Sequence, residues 1–143
     1  MIKYNAGFTL LEIMVVVVII SILASLVAPK ILGRIDDARI TKVKSDLDSI
    51  EAALDLYYLD NSIYPSTEQG LDALVKKPDG LPEAKNYHED GYLKSLPIDP
   101  WDVPYLYLSP GDDNRPYDIY TLGADGKEAG EGKNADIGHW SST

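Results

Sequence analysis

The chain has 143 residues, no cysteine and a formal net charge of −10, which bounds it to one small domain and excludes a disulfide framework and thiol chemistry. The charge is uneven: residues 1–60 carry 6 basic and 8 acidic side chains, −2, whereas residues 61–143 carry 7 and 15, −8. Such a surface repels phosphate backbones, which argues against a nucleic-acid partner, and it suits solubility and attracts cations.

The first element is the apolar run GFTLLEIMVVVVIISILASLVAP, residues 7–29. Phe8 to Ala28 is broken only by Thr9, Glu12, Ser21 and Ser25, and about 20 apolar residues span a bilayer core. Only Lys3 precedes the run, while Lys30, Arg34 and Arg39 follow it, so a plain positive-inside count places the C-terminal part in the cytoplasm. An ordinary secretory signal ends in a small-residue cleavage site. Here the small residues, Ala6-Gly7, come before the run. Cutting there leaves the whole hydrophobic helix on the mature chain, with Phe8 at its N-terminus.

Glu12 admits two readings. It is an acid near a helix N-terminus, favoured by the macrodipole and able to snorkel to the interface. Alternatively, with Phe8 as the mature N-terminus, its carboxylate pairs with the α-amino group of an adjacent copy and reduces the desolvation cost of both. A charge that is costly alone and offset by a neighbour favours ordered assembly.

With Gly7, Phe8, Glu12 and Pro29 at their spacing, this stretch resembles the class III signal and N-terminal helix of type IV pilins and pseudopilins. The resemblance implies that a prepilin peptidase cuts after Gly7 and N-methylates Phe8, that Glu12 acts in assembly and that Pro29 kinks the helix. It also implies a periplasmic C-terminal domain, against the plain charge count.

Beyond Pro29, Ile40, Val43, Leu47, Ile50, Leu54 and Tyr57 recur at steps of three and four, the apolar face of a helix. Lys42–Asp46 and Lys44–Asp48 supply i,i+4 pairs on the other faces. The same spacing is a heptad seam open to a coiled-coil partner, although three heptads more often mark a helix packed on its own domain. A helix from Phe8 to Asp60 would be about 80 Å long at ~1.5 Å per residue. Its first half has no domain to pack on and must lie in a membrane or among other copies.

Asp60-Asn61 ends this helix. Ser66 and Gln69 form a capping box for a short helix carrying Leu71, Leu74 and Val75. Residues 76–104 hold five prolines and read as an ordered, irregular loop. Tyr105–Leu108 and Tyr117–Thr121 are short strands joined by SPGDDNRP as a hairpin. Two or three strands on the amphipathic half of the long helix make a small α+β domain.

YYLDNSIYPSTEQGLDALV, GYLKSLPIDPWDVPYLYLSPG and YTLGADGKEAGEGKNADIGHW are similar to the major pseudopilin family of type II secretion systems, the general secretory pathway protein G family. The similarity extends over nearly the whole chain.

Between Thr121 and Trp140, Asp125, Glu128, Glu131, Asn134 and Asp136 alternate with five glycines. By composition this is a solvated acidic loop or a hard-cation site, which wants six to eight oxygens. It lacks the EF-hand spacing. The resemblance implies a calcium site here, with Asp125 and Asp136 as carboxylate ligands, the Leu122 carbonyl as backbone ligand, and Asn134 standing where relatives often carry an acid. Glu128 and Glu131 are read as solvated. Calcium would then close the loop as a disulfide does elsewhere.

His88 and His139 fall in separate loops with no acid–nucleophile or zinc spacing, and both are read as surface polar residues. Trp101 and Trp140 are read as packing anchors or subunit contacts. No phosphate-cradling motif is present.

The expectation is a pilin-like α+β protein divided into a leader, 1–7, a transmembrane and filament-core helix, 8–29, and a periplasmic domain, 30–143. The resemblance implies a non-enzymatic subunit of a helical filament. Its partners would be further copies, minor pseudopilins, the inner-membrane assembly platform, a separate ATPase and the prepilin peptidase. The chain would sit in the inner membrane before assembly. A monomeric membrane-tethered calcium-binding module that recognises secreted proteins is the alternative from another class, and a type IV pilus subunit the alternative within the family.

Overall fold

The computed structural model describes residues 7–142, so residues 1–6 of the expected leader lie outside the described residues. One helix, α1, runs from Leu10 to Asn61, 52 residues. Thr9 starts it: its Oγ1 accepts the Glu12 backbone N–H at 3.2 Å, satisfying one of the first-turn donors that have no partner within the helix. The helix continues through position 29, so Pro29 does not end it. It closes at Ser62, which takes a left-handed φ of 59° and returns its N–H to the Tyr58 carbonyl at 2.7 Å. Asn61 Nδ2 donates to the Tyr57 carbonyl, 3.0 Å. Both bonds cap carbonyls that the helix leaves open.

The chain divides into two compact units, Met1–Ala38 and Arg39–Thr143. Among the described residues, the first fully buried core residue of α1 is Val43. In the second unit, Val43, Leu47, Ile50, Ala53, Leu54 and Tyr57 are buried from α1 and pack with Leu71, Leu74, Tyr105, Tyr107, Tyr117 and Ile119. The heptad seam is thus spent on the chain's own domain rather than on a coiled-coil partner.

Three antiparallel strands follow in the order β1 (Leu106–Leu108), β2 (Asp118–Thr121) and β3 (Ile137–Gly138). Tyr107 faces Ile119 across β1 and β2, and Thr121 faces Ile137 across β2 and β3. β3 has only two residues and lies in a glycine-rich acidic stretch with no alternating pattern, which is why the sequence does not announce it. In the hairpin between β1 and β2, Asp113 and Asn114 have φ of 51° and 62°. These residue types tolerate the left-handed region.

The Ser66–Gln69 capping box forms as expected: Ser66 N–H donates to Gln69 Oε1 at 3.0 Å, and Gln69 N–H donates to Ser66 Oγ at 3.2 Å. The helix after it is a single 3-10 turn, Leu71–Leu74, preceded by Gly70 at φ 61°. That glycine breaks the α-helical path the box begins. Tyrosine hydroxyls tie the loops to α1. Tyr105 donates to Asp46 Oδ2 at 2.8 Å, and Tyr92 donates to Asp60 Oδ2 at 3.0 Å. Tyr107 donates to the Pro65 carbonyl at 2.9 Å, and burial pushes its phenol up to about 12.

Leu47→Ala removes a fully buried side chain and is expected to cost about 3 kcal/mol of unfolding free energy. Leu56→Ala, on the exposed face, should stay within about 0.5 kcal/mol. Urea unfolding of residues 30–143 carrying each change measures both.

Candidate assembly helix and C-terminal loop

In the first unit, every described side chain from Gly7 to Leu26 is exposed. Phe8 is 79% exposed, and the apolar residues from Leu10 through Leu26 are open on all sides of α1. A helix that is apolar all round requires an apolar environment. Among the described residues no helix is long and apolar enough to cross a membrane; the described side chains of this run end at Leu26, and the sequence carries it on to Ala28. Glu12 is the one ionisable residue in the stretch from Gly7 to Pro29. It stands in the first turn of α1, exposed, next to the Thr9 cap, where the N-terminal dipole favours a carboxylate.

The C-terminal loop is built from two 3-10 turns, Gly123–Asp125 and Gly132–Asn134, which lie against each other. Leu122 is the N-cap of the first, with φ −81° and ψ 11°. Asp125 Oδ1 accepts the Lys127 N–H at 3.2 Å. Asp136 crosses the loop: its Oδ2 accepts the Ala129 N–H at 2.9 Å, while its Oδ1 is buried without a partner. Gly130, at φ 117°, passes so close to Asn134 that a Cβ would overlap its carbonyl oxygen. Asp125 and Asn134 thus lie in two turns held side by side, with Leu122 just before the first and Asp136 two residues after the second. Glu128 and Glu131 are exposed, as expected. Among the described residues no three His, Cys, Asp or Glu side chains converge as metal ligands. Leu122, Asp125, Asn134 and Asp136 carry carbonyl, amide and carboxylate oxygens, and one Asp136 oxygen is buried without a hydrogen-bond partner.

Two acids that anchor this region were not legible as such. Asp99 is buried: its Oδ1 accepts the N–H groups of Trp101 and Val103 at 2.9 and 2.8 Å, and its Oδ2 accepts the Thr121 hydroxyl. It locks the proline-rich loop to β2. The Asp-Pro pair in IDPWD was its only signal, a turn initiator. Asp118, 2% exposed, meets Arg115 through Nε and Nη2 and accepts the Asp112 N–H at 2.8 Å. Burial pushes its carboxyl up, but the hydrogen bonds from Arg115 and the Asp112 N–H outweigh that and hold it below the ordinary carboxylate range. His88 is exposed, as expected. His139 departs from the surface assignment: it is half-buried, and its Nδ1 accepts the Ile119 N–H at 3.3 Å, extending the β2–β3 ladder. Trp101 packs on the core, with its indole N–H buried and unpartnered. Trp140 lies on Tyr120 and under Arg115.

An N-terminal helix apolar all round, joined in sequence to a small antiparallel sheet packed on the helix's second half, is the architecture of a pilin-like subunit. Residues 2–28 match the prokaryotic N-terminal methylation motif. Residues 30–140 match the type II secretion system protein G family, and the chain belongs to that family. It is 59% identical over 138 residues to the type II secretion system core protein G of Pseudomonas aeruginosa, covering 96% of each chain. It is 57% identical over 138 residues to that of Vibrio cholerae serotype O1, covering 96% of this chain and 93% of the other. Among solved structures, it resembles the major pseudopilin from the type 2 secretion system of enterohaemorrhagic Escherichia coli, with a TM-score of 0.68 and 48% identity over 77% of this chain and 93% of that one.

Because Asp118 is depressed in the folded state, its stabilisation is complete above the ordinary carboxylate value and is lost as pH falls through the lower folded value. Asp118→Asn should therefore lower the Tm of residues 30–143 at pH 7, and the gap to wild type should close as the pH approaches 2. Thermal melts across that range measure it.

Proposed function

We infer that the chain is a structural subunit of the type II secretion pseudopilus, assembling by its N-terminal helix into a periplasmic filament that helps move folded proteins across the outer membrane. The carrying observation is the methylation motif followed by an apolar helix stretch whose described side chains, to Leu26, all lie open. Such a surface has to be covered by lipid before assembly and by other copies after it. The inner membrane holds the chain first, with the second unit in the periplasm. Cleavage after Gly7 and methylation at Phe8 create an α-amino cation, and Glu12 of a neighbouring copy receives it. The pairing offsets two desolvation costs at once and sets the register of the fibre. Minor pseudopilins and the inner-membrane platform are the partners, and the work of extraction is done by a separate cytoplasmic ATPase.

Leu122, Asp125, Asn134 and Asp136 would hold calcium in the C-terminal loop, with the free Asp136 Oδ1 as the donor left open for it. When bound, the ion supplies positive charge and a cross-link between the two turns. The chain's own part is positional. Gly130 lets the backbone fold back at Asn134, and the Ala129 N–H orients the Asp136 carboxylate. A chain without cysteines thereby gains the staple that a small extracytoplasmic domain otherwise takes from a disulfide.

Three outcomes are expected. The intact mass of protein extracted from membranes should lack residues 1–7 and carry one added methyl group; an uncut chain would support a monomeric tether instead. Glu12→Ala should leave processing and insertion intact and abolish filaments seen by electron microscopy. Calcium should raise the Tm of residues 30–143, and Asp125→Ala should remove the rise; equal melts with calcium and with chelator would eliminate the site.

A further inference from the structure

The C-terminal loop leaves the sheet at Thr121, the last residue of β2, and returns at Ile137, the first of β3. These two residues stand opposite each other in the ladder, so both arms of the loop spring from one rung. Leu122, Asp125, Asn134 and Asp136 all lie between them. The direction in which the loop sets out is therefore decided at Thr121.

Thr121 is 1% exposed and Asp99 is 3% exposed, and polar side chains that deep require partners. The Thr121 hydroxyl donates to Asp99 Oδ2. Asp99 is itself held in place, because its Oδ1 accepts the Trp101 and Val103 N–H groups at 2.9 and 2.8 Å. With its proton committed to the carboxylate, the Thr121 oxygen offers a lone pair to the Gly123 N–H, 3.4 Å away. That N–H and the Leu122 carbonyl belong to one peptide group. A trans peptide is planar, with its N–H and C=O pointing opposite ways, so the Leu122 carbonyl is aimed away from the Thr121 hydroxyl. Gly123, at φ 69°, then takes the chain into the turn that ends at Asp125, a step glycine makes without strain.

We propose that Asp99 and Thr121 are positioning residues for the calcium loop. The hydrogen bonds running from Asp99 through the Thr121 hydroxyl to the Gly123 N–H set the direction of the Leu122 carbonyl before any cation is bound. The inference rests on the calcium reading given above and extends it to a residue of the proline-rich loop. Neither side chain acts as a ligand. Their part is to hold one donor still, which lowers the ordering cost that binding would otherwise have to meet.

The test uses the full chain in detergent micelles, with calcium chloride titrated calorimetrically into chelator-stripped protein. Asp99→Asn keeps an oxygen for the Trp101 and Val103 N–H groups but sets an amide donor against the Thr121 hydroxyl, and calcium affinity should fall about tenfold. Thr121→Val should lose as much, whereas Thr121→Ser, which keeps the hydroxyl, should bind as the wild type does. Leu47→Ala, which weakens the core on α1, should leave the affinity unchanged. In the wild-type chain with chelator, the Gly123 amide should already exchange slowly with deuterium. The positioning role would be overturned by wild-type affinity in Asp99→Asn or Thr121→Val, by an equal loss in Thr121→Ser, or by an equal loss in Leu47→Ala. Gly123 exchange that slows only when calcium is added would overturn it too, and that measurement needs no substitution, so it decides even where a variant does not fold. A wild-type chain that binds no calcium would overturn the calcium reading together with this one; calcium binding untouched by Asp99→Asn would overturn this one alone.

Discussion

The burial of Val43, Leu47, Ile50, Leu54 and Tyr57 against the tyrosine-bearing strands is the contact on which the rest of the molecule depends. It fixes the second half of α1 to a folded domain and thereby uses up that half's apolar face. The first half has no equivalent. Its described apolar side chains, from Leu10 to Leu26, lie open, and a protein interior cannot supply what would cover them. One continuous backbone therefore answers to two surroundings, a water-facing domain and an apolar medium supplied from outside the chain. Assembly into a pseudopilus is compatible with that division, because other copies would offer the same kind of surface.

The acidic character of the domain is organised rather than spread evenly. Asp46 and Asp60 on α1 accept tyrosine hydroxyls from the loops. Asp99 and Asp118 are buried and hydrogen-bonded, one within a proline-rich loop and one at the foot of the hairpin. Buried carboxylates are tolerated only when donors surround them, and in both cases those donors are mainly local backbone N–H groups or a near-neighbour arginine. Six further acids, Asp112, Asp113, Asp125, Glu128, Glu131 and Asp136, lie in the hairpin and the C-terminal loop, where Asp136 keeps one oxygen unpartnered. With ten tyrosines and a single phenylalanine, the core gains aromatic bulk together with hydroxyl tips that reach this acidic periphery.

Much of the fold was legible because it rests on periodic or local signals. The helical face from Val43 to Tyr57, the Ser66–Gln69 box and the hairpin between β1 and β2 each repeat a pattern whose geometry is set within a few residues. Strand β3 and the ladder bond to His139 were not legible, because both depend on where β2 lies rather than on residues 137–139 themselves. The short helix after the capping box was expected but came out as a 3-10 turn, since Gly70 leaves the α-helical path. In the candidate loop, the residues were named from sequence together with a family resemblance. That Asp136, and not its neighbours, carries the orphaned buried oxygen emerged only from the packing of the two turns.

By itself the sequence determined the division of labour along the helix, the place of Gly7, Phe8 and Glu12 at its start, and the family. These are properties of composition and spacing, which survive without coordinates. Only the tertiary structure decided which acids are buried and paired, and that the heptad seam closes on its own domain. Those depend on strand register and on contacts between residues far apart in the chain, and no local pattern encodes which distant backbone will stand opposite.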